Sequence, residues 1–476
     1  MRLRIITMLG CFSMVVCVAG CGILKKPDMT HTTRIASLNK PPHPLILIHG
    51  FIGSKLRDVK SHKVVWGTMA NVLMGGDTDD LALPLDESAQ DGLEAYQIYA
   101  SLWGRDFYRE ILRSLRAAGG YQIGDIDHPM PGDNAFVFIY DWRRDNVETA
   151  QRFAATIERL KHALGRPDER FDLLTHSQGG LIARYYIMYG DQDVLKTGAS
   201  FEPTMAGAAN VNKVIMLGTP NRGCLESMKI LHLGLKKVFR PMRPEVVFTM
   251  PAVYQMLPPK GSQVFADVEG RPLSLDMYDA ATWVREGWSA FDPEAQARMR
   301  RRLAKAEHRD GGIALEEFNA RARDFLARQL LRADLFHQAL DAPEPERSDM
   351  SYYAFGGDCL NTLKAAIVMN KSGRHQLFFD DERLRDVKQA GMLDSVLYGP
   401  GDGTVLMQSL LAIPDGAEAR ADRKPEGSVS FRSAFFVCGS HGVLPNDPIF
   451  QNNLLYLLLW RGASPEPGGS VAAASR

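Results

Sequence analysis

Short apolar runs that alternate with helical patterns restrict this chain to a small set of folds. Helical patterns cover residues 106–118, 146–164 and 181–189, and they fall between the apolar runs. Such runs are typical of strands that are buried on both faces, as in a parallel sheet covered by helices. The sequence therefore predicts an α/β protein with a mostly parallel sheet and helices on both faces. The runs are LILI (45–48), AFVFI (135–139), FDLL (171–174), KVIML (213–217), YYAF (352–355) and SAFFV (433–437).

Residues 223–348 interrupt this alternation. They contain a basic apolar stretch, the motif PAVYQMLPP and two long helical patterns rich in arginine, the second of which carries an apolar stripe. Because the sheet pattern resumes at Tyr352, we expect an inserted helical cap and lid; a separately folded domain is the alternative. The core is then divided into residues 44–222 and 349–463, and residues 464–476 are a disordered tail.

The N-terminus has the layout of a secretory signal. Residues 1–20 combine two early arginines with an apolar run that ends in small residues. The motif VAGC, which ends at Cys21, resembles the lipobox of bacterial lipoproteins, in which the cysteine is lipidated after cleavage. We expect a lipid-anchored protein of the bacterial cell envelope with a tether over residues 21–43, and Gly22 favours the outer membrane. An uncleaved membrane anchor is the alternative.

Charge argues against a nucleic-acid partner. Lys+Arg and Asp+Glu both number 56 among the 476 residues, so the formal net charge is zero. A nucleic-acid-binding protein usually carries a basic excess. No strongly charged partner is expected.

Three cysteines remain after the predicted signal and the lipidated residue are set aside. They are Cys224, Cys359 and Cys438. An odd number in an oxidising compartment leaves at least one thiol outside any intramolecular disulfide. One disulfide is possible, and the sequence leaves its pairing open.

The stretch LLTHSQGG, which ends at Gly180, raises the question of whether Ser177 is a nucleophile. An apolar run followed by a serine and two glycines is typical of a strand that turns sharply into a helix and exposes the serine. Thr175 stands where the nucleophile-elbow signature has glycine. A serine that merely occupies a turn is the alternative.

A serine hydroxyl needs a histidine base and a carboxylate to become a nucleophile. In the α/β-hydrolase order the acid and then the histidine follow the serine. Asp402, in GPGDGTV, is the predicted acid, with Asp358 as its rival and Asp394 as a weaker candidate. His441, in GSHGV after the last apolar run, is the predicted base.

The anionic intermediate of acyl transfer requires backbone donors. The amide of Gln178, which follows the serine, is one candidate, and the amide of Phe51 in HGFIGSKL is the other. This chemistry needs no metal, and no spacing of His, Cys and Asp resembles a zinc or calcium site. We therefore expect no cofactor.

Seven motifs in this order resemble the lecithin:cholesterol acyltransferase family of α/β-hydrolases, which includes phospholipases and diacylglycerol acyltransferases. The resemblance implies a triad of Ser177, Asp402 and His441 and an oxyanion hole formed by the Phe51 and Gln178 amides. It also implies a lid after LGTPNRG, and it implies that YDWR shapes the core beside the site. The motifs are PLILIHGFIGSKL, YDWRRD, THSQGGLIARYY, LGTPNRG, YQMLPP, GPGDGTV and GSHGVLPND.

The predicted function is a serine-dependent lipid acyl hydrolase or acyltransferase that acts on a lipid ester through an acyl-enzyme. An esterase for other esters and a non-catalytic lipid-binding lipoprotein are the alternatives. Contact with a membrane is expected through lipidated Cys21. A second contact is predicted at Met228–Arg243, a basic apolar segment for which a connector packed on the cap is the alternative.

Overall fold

The computed structural model describes most of the chain from Lys40 to Leu459. The predicted signal, Cys21, nearly all of the predicted tether and the predicted tail lie outside the described residues, as do residues 237–240 of the basic apolar segment. The described ranges are 40–68, 78–86, 89, 91–102, 105–196, 200–236, 241–345, 349–371, 373–380, 393–415 and 429–459.

The strands of these residues form one six-stranded sheet and four smaller sheets. In chain order they are β1 (Leu45–Ile48), β2 (Ser54–Asp58), β3 (Val64–Trp66), β4 (Leu93–Ile98), β5 (Ser101–Leu102), β6 (Arg105–Asp106), β7 (Ala135–Phe138), β8 (Phe171–His176), β9 (Val211–Leu217), β10 (Phe265–Ala266), β11 (Ser351–Gly357), β12 (Leu360–Leu363), β13 (Ala366–Lys371), β14 (Arg374–Phe378), β15 (Tyr398–Gly401) and β16 (Phe431–Val437).

The helices lie on both sides of the large sheet and in the region between β9 and β11. No helix of the described residues is long and apolar enough to cross a bilayer. In chain order the helices are α1 (Arg109–Ala117), α2 (Asn146–Leu164), α3 (Gln178–Tyr189), α4 (Leu225–Leu233), α5 (Pro244–Val247), α6 (Pro251–Tyr254), α7 (Ala280–Glu286), α8 (Pro293–Ala306), α9 (Leu315–Asp341), α10 (Asp394–Leu397), α11 (Met407–Leu410) and α12 (Pro448–Leu459), with single 3-10 turns at Asp79–Leu81, Ala208–Asn210, Ser289–Phe291 and Leu444–Asn446.

The large sheet is parallel throughout, in the order β16-β11-β9-β8-β1-β7. Its six strands are the six apolar runs that the sequence predicts. All four residues of β1 are at most 2% exposed, because helices cover this strand on both faces. The prediction of a mostly parallel α/β sheet is confirmed.

Helix α2 has the predicted bounds because both of its ends are marked in the sequence. The side chain of Asp145 accepts hydrogen bonds from the backbone amides of Val147 and Glu148, and so caps the first turn. Gly165 ends the helix with a φ of 65°, which glycine adopts without a steric penalty. The predicted helix at 181–189 begins earlier, at Gln178, immediately after the serine in question.

The helices between β9 and β11 share a core with the sheet. One hydrophobic cluster includes Ile46 of β1, Trp283 of α7 and Phe325 of α9. Helix α9 also receives hydrogen bonds from helix α3, since the hydroxyl of Tyr189 donates to the carbonyl of Ala339 at 2.8 Å. Among the described residues, the helices between β9 and β11 therefore pack into the core of the sheet rather than around a separate apolar core.

A second region, between β11 and β16, was not predicted as an excursion from the core. Here β13 and β14 pair as an antiparallel hairpin, and β12 pairs with β15. Strand β10, which lies between α6 and α7 in the chain, pairs in parallel with β13. The two excursions from the sheet are thus joined by backbone hydrogen bonds.

The structure resolves the open cysteine pairing. Cys359 and Cys438 form a disulfide between the segments that follow β11 and β16, with their Cα atoms 5.3 Å apart. Cys224 is a buried free thiol. Because Cys438 lies three residues before His441, the disulfide fixes the base of the loop that carries this histidine.

Removal of the disulfide by Cys359→Ser with Cys438→Ser is expected to lower the free energy of unfolding. The bridge spans 79 residues of sequence. In the chain-entropy description a loop of this size contributes about 4.5 kcal/mol. Urea unfolding of the oxidised wild type, the reduced wild type and the double variant measures the effect, and the latter two should unfold alike. Equal midpoints for all three proteins would contradict the prediction.

Candidate active site

Ser177 occupies the sharp turn between β8 and α3. Its φ of 53° and ψ of −123° are unfavourable for a residue other than glycine. The turn is held from the sheet, since the amide of Ser177 donates to the carbonyl of Leu217 at 2.8 Å. Thr175 is accommodated at the position where the elbow signature has glycine, because its hydroxyl donates to the carbonyl of Ile215 at 3.3 Å. The departure from the signature does not prevent the turn.

Two glycines allow α3 to begin against the neighbouring backbone. A Cβ atom on Gly179 would lie 2.5 Å from the carbonyl oxygen of Ile48, which is closer than a carbon can approach. A Cβ atom on Gly180 would lie 2.0 Å from Oγ1 of Thr219. The two glycines after Gln178 therefore allow close packing of the helix against the strands.

The structure brings together the three residues predicted as a triad. Nε2 of His441 lies 2.9 Å from Oγ of Ser177, and Nδ1 of His441 lies 2.7 Å from Oδ2 of Asp402. The other carboxylate oxygen of Asp402 accepts hydrogen bonds from the amides of Thr404 at 3.0 Å and Val405 at 2.7 Å. This carboxylate is buried and fixed, and it orients the imidazole ring.

The two rival acids lie elsewhere. Asp358 follows β11, as the sequence suggested, but it is exposed to solvent. Asp394 is the first residue of the short helix α10. The carboxylate that contacts His441 is that of Asp402, at the end of β15.

The loop after β1 is fixed by its own hydrogen bonds. The carbonyl of Gly50 accepts from the amide of Gly53 at 3.0 Å and lies 2.9 Å from Nδ1 of His49. The carbonyl of Gly50 and the amide N–H of Phe51 belong to one planar, trans peptide unit, so they point in opposite directions. Fixing the carbonyl therefore fixes the direction of the Phe51 amide. Among the described residues, no protein acceptor receives the amides of Phe51 or Gln178. The amide of Gln178 belongs to the first turn of α3, where backbone donors have no partner in the helix.

Tyr140 and Trp142, in the segment that follows β7, anchor this loop. The ring of Tyr140 stacks on His49 with 4.1 Å between centroids, and its hydroxyl donates to the carbonyl of His49 at 2.6 Å. The indole of Trp142 donates to the carbonyl of Ser54 at 3.1 Å. Burial lowers the pKa of His49 to about 4, so the ring is neutral. Its Nδ1 faces the carbonyl of Gly50, which can only accept, so Nδ1 carries the hydrogen.

Arg143 completes the YDWR stretch as a buried cation. Its guanidinium contacts the carboxylates of Asp141 and Asp91, each at 2.6 Å, and donates to the carbonyl of Leu81 at 3.0 Å. Burying an arginine is tolerated only when its charge is paired and its donors are satisfied. The stretch therefore forms a rigid support beneath the loop of Phe51.

Ser177 and His441 line a mostly apolar cavity of about 290 Å³. Glu226 is the one acidic residue among the described lining residues, and its carboxylate lies 3.1 Å from Nζ of Lys229. Burial raises the pKa of the Cys224 thiol, another lining group, to about 11, so this sulfur is protonated and a weak nucleophile. The apolar lining residues include Phe107, Pro220, Ile230, Leu235, Met256 and Val405.

Two residues beside the triad were not predicted. Nδ1 of His176 lies 2.7 Å from the hydroxyl of Tyr108, and Nε2 of His176 lies 3.2 Å from the carbonyl of His441. The position of His176 next to the serine was the available sequence signal. Tyr108 precedes α1, and no feature of the sequence pointed to it.

Among the described residues no cluster of His, Cys, Asp and Glu is arranged to hold a metal ion.

The parallel sheet, the strand–serine–helix turn, and an acid and a histidine on loops after later strands define an α/β-hydrolase fold. No family model matches the chain. It is 20% identical over 427 residues to the uncharacterized protein YJR098C of Saccharomyces cerevisiae, with 81% of this chain aligned. The chain spans 59% of the length of that yeast protein.

The chain is similar to several solved structures, one of them with a TM-score above 0.5. A chain of the Tle4–Tli4 complex superposes with a TM-score of 0.54 at 14% identity, covering 88% of this chain and 98% of that chain. EstA from Clostridium botulinum superposes with a TM-score of 0.36 at 12% identity, covering 90% and 89% of the two chains. The lipase BlEst2 of Bacillus licheniformis in its propeptide form gives 0.35 at 12% identity, covering 90% and 53%. The likeness to the Tle4–Tli4 chain supports the α/β-hydrolase fold.

Proposed function

We propose that the protein is a serine-dependent lipid acyl hydrolase. The proposal rests on one observation: the hydroxyl of Ser177 lies 2.9 Å from His441, which lies 2.7 Å from Asp402, at the wall of a mostly apolar cavity. A hydroxyl, an imidazole and a buried carboxylate in this order are the parts of a serine nucleophile. The apolar lining suits an acyl chain.

In the acylation step, Oγ of Ser177 attacks the ester carbonyl and its proton passes to Nε2 of His441. Asp402 stabilises the imidazolium through the hydrogen bond to Nδ1. The amides of Phe51 and Gln178 donate to the carbonyl oxygen as it becomes negative. The tetrahedral intermediate then collapses, the C–O bond to the alcohol breaks, and the alcohol takes the proton from His441. An acyl-serine remains.

In the deacylation step, His441 accepts a proton from the second nucleophile, which attacks the acyl-serine. When this nucleophile is water, the product is a carboxylic acid. When it is a lipid alcohol, the product is a new ester and the protein is an acyltransferase. Both outcomes return the proton to Ser177 and regenerate the same state.

We also propose kinship with the lecithin:cholesterol acyltransferase family, on the seven motifs that occur in its order. A phospholipid is then the leading substrate. The lipobox-like motif VAGC adds two parts to the proposal. Cys21 carries a lipid anchor, and the protein lies in the bacterial cell envelope, more specifically at the outer membrane. The substrate and the anchored enzyme would then occupy one membrane.

Lipid-product analysis of the purified protein tests this proposal. Vesicles of phosphatidylcholine and phosphatidylglycerol are incubated with and without a long-chain alcohol, and Ser177→Ala is the matched control. We expect the wild type to release fatty acid and lysophospholipid, and the control to release neither. An alkyl ester formed when alcohol is present would assign acyltransferase activity to the same site.

Two results would overturn the lipid assignment. Hydrolysis of a short soluble ester without any turnover of vesicles would identify an esterase for other substrates. No turnover of any ester, together with no labelling by a serine-directed fluorophosphonate, would identify a non-catalytic lipid-binding protein.

A further inference from the structure

One imidazole ring connects the loop of the proposed base with the loop of the proposed oxyanion hole. His176 is partly buried beside Ser177, where it lines the cavity, and its ring lies 5.0 Å from that of His441 between centroids. Each of its nitrogens has a hydrogen-bond partner: Nε2 contacts the loop of His441 directly, and Nδ1 contacts Tyr108, which in turn contacts the loop of Gly50. The proposed catalytic steps give no proton transfer to this ring.

The partners fix the tautomer of His176. The carbonyl of His441 can only accept, so Nε2 of His176 carries the hydrogen that bridges their 3.2 Å separation. A neutral imidazole then accepts at Nδ1, and the hydroxyl of Tyr108 donates to it at 2.7 Å. Burial lowers the pKa of His176 to about 3, which is consistent with a neutral ring.

The same hydroxyl of Tyr108 reaches the second loop. Having donated its hydrogen to His176, its oxygen accepts from the amide of Gly50 at 2.9 Å. The carbonyl of the His49–Gly50 peptide accepts from Tyr140 at 2.6 Å. That peptide is therefore held on both sides, one residue before the amide of Phe51.

The backbone at Gly50 packs closely against Ser177 and His176. A Cβ atom on Gly50 would lie 2.8 Å from Cβ of Ser177 and 3.2 Å from Nδ1 of His176. A small movement of the Gly50 loop would thus change the distance from the Phe51 amide to the serine. Hydrogen bonds to a developing charge lose strength quickly when their geometry is off.

We propose that Tyr108 and His176 are positioning residues that hold the Phe51 amide and the His441 ring in register with Ser177. The inference rests on the proposed serine mechanism. The chain of hydrogen bonds runs from the Gly50 amide to Tyr108, from Tyr108 to His176 and from His176 to the His441 carbonyl. Neither residue exchanges a proton with substrate.

The test is Tyr108→Phe, which removes one oxygen atom and keeps the ring. Loss of a single positioning hydrogen bond should lower kcat about tenfold and leave KM within about twofold. Affinity for a long-chain alkylboronic acid, which forms a tetrahedral adduct with serine, should fall by the same factor as kcat. Tyr121→Phe is the matched control, because Tyr121 is buried and its hydroxyl has no partner among the described residues.

A double-mutant cycle separates positioning from general loss of packing. His176→Phe breaks both hydrogen bonds of the imidazole, and Tyr108→Phe with His176→Phe should lose little more than His176→Phe alone, since both act through one network. Thermal unfolding of every variant reports stability independently. A fall in stability with unchanged kcat and boronate affinity would assign a purely structural role.

Failure of this inference is distinguishable from failure of the proposed function. If the wild type hydrolyses esters, Ser177→Ala is inactive, and Tyr108→Phe keeps wild-type kcat and boronate affinity, the positioning role is wrong and the serine mechanism stands. If the wild type neither turns over esters nor reacts with a fluorophosphonate, the serine mechanism itself is wrong.

Discussion

Ser177→Ala is expected to reduce ester turnover by at least about four orders of magnitude, because the residues of a catalytic triad act as a unit and no other hydroxyl contacts Nε2 of His441 among the described residues. The variant should fold normally. The amide of residue 177 still donates to Leu217, and alanine carries the same backbone strain at a φ of 53° as serine does. Kinetics on vesicles, labelling by a fluorophosphonate and thermal unfolding together measure the outcome.

Ser114→Ala is a suitable control for this substitution. The hydroxyl of Ser114 donates to Gln451 and lies outside the cavity, so its removal should leave labelling intact. Retention of more than about one per cent of wild-type kcat by Ser177→Ala would contradict the nucleophile assignment, because loss of a triad nucleophile costs far more than this. Labelling of Ser177→Ala would contradict it as well.

Asp402→Asn is expected to lower kcat by about three to four orders of magnitude. The oxygen of the new amide should remain with the Thr404 and Val405 amides, which leaves its NH₂ group facing Nδ1 of His441. An NH₂ group cannot accept a hydrogen bond, so Nδ1 would have to accept and Nε2 would carry the hydrogen. His441 could then take no proton from Ser177. Vesicle kinetics with thermal unfolding measures the effect.

Asp358→Asn is the matched control, since it makes the same change in an exposed carboxylate near the disulfide. We expect wild-type kcat for this variant. The acid assignment would be wrong if Asp402→Asn kept near wild-type kcat while Asp358→Asn lost it, although a serine mechanism with a different acid would survive.

Much of the fold follows from local patterns in the sequence. Apolar runs flanked by helical patterns identified the six strands of the large sheet. A strand buried on both faces, such as β1, must be apolar along its length, and the half-exposed edge strand β16 also carries an apolar run. Helix α2 was predicted from its helical pattern with its observed bounds, and the structure shows an aspartate cap and a terminal glycine at its two ends. The HSQGG stretch located the strand–serine–helix turn despite Thr175.

The small sheets between β11 and β16 could not be predicted in the same way. Strand β13 pairs with β10, which lies about a hundred residues earlier in the chain, and such pairing has no local signature. The polar, half-exposed strand β14 also lacks the apolar run by which the others were found.

The sequence by itself determined which residue types are available for the site and in which order they follow the sheet strands. The tertiary structure decided which of them meet. Ser177 and His441 are separated by 264 residues in the sequence. Their contact depends on the order of the strands across the sheet and not on the residues next to either of them in the chain. The contact of His441 with Asp402 instead of Asp358, the pairing of Cys359 with Cys438, and the link from Gly50 through Tyr108 to His176 were decided in the same way. Each depends on distances of a few ångströms between segments far apart in sequence, which local pattern does not encode.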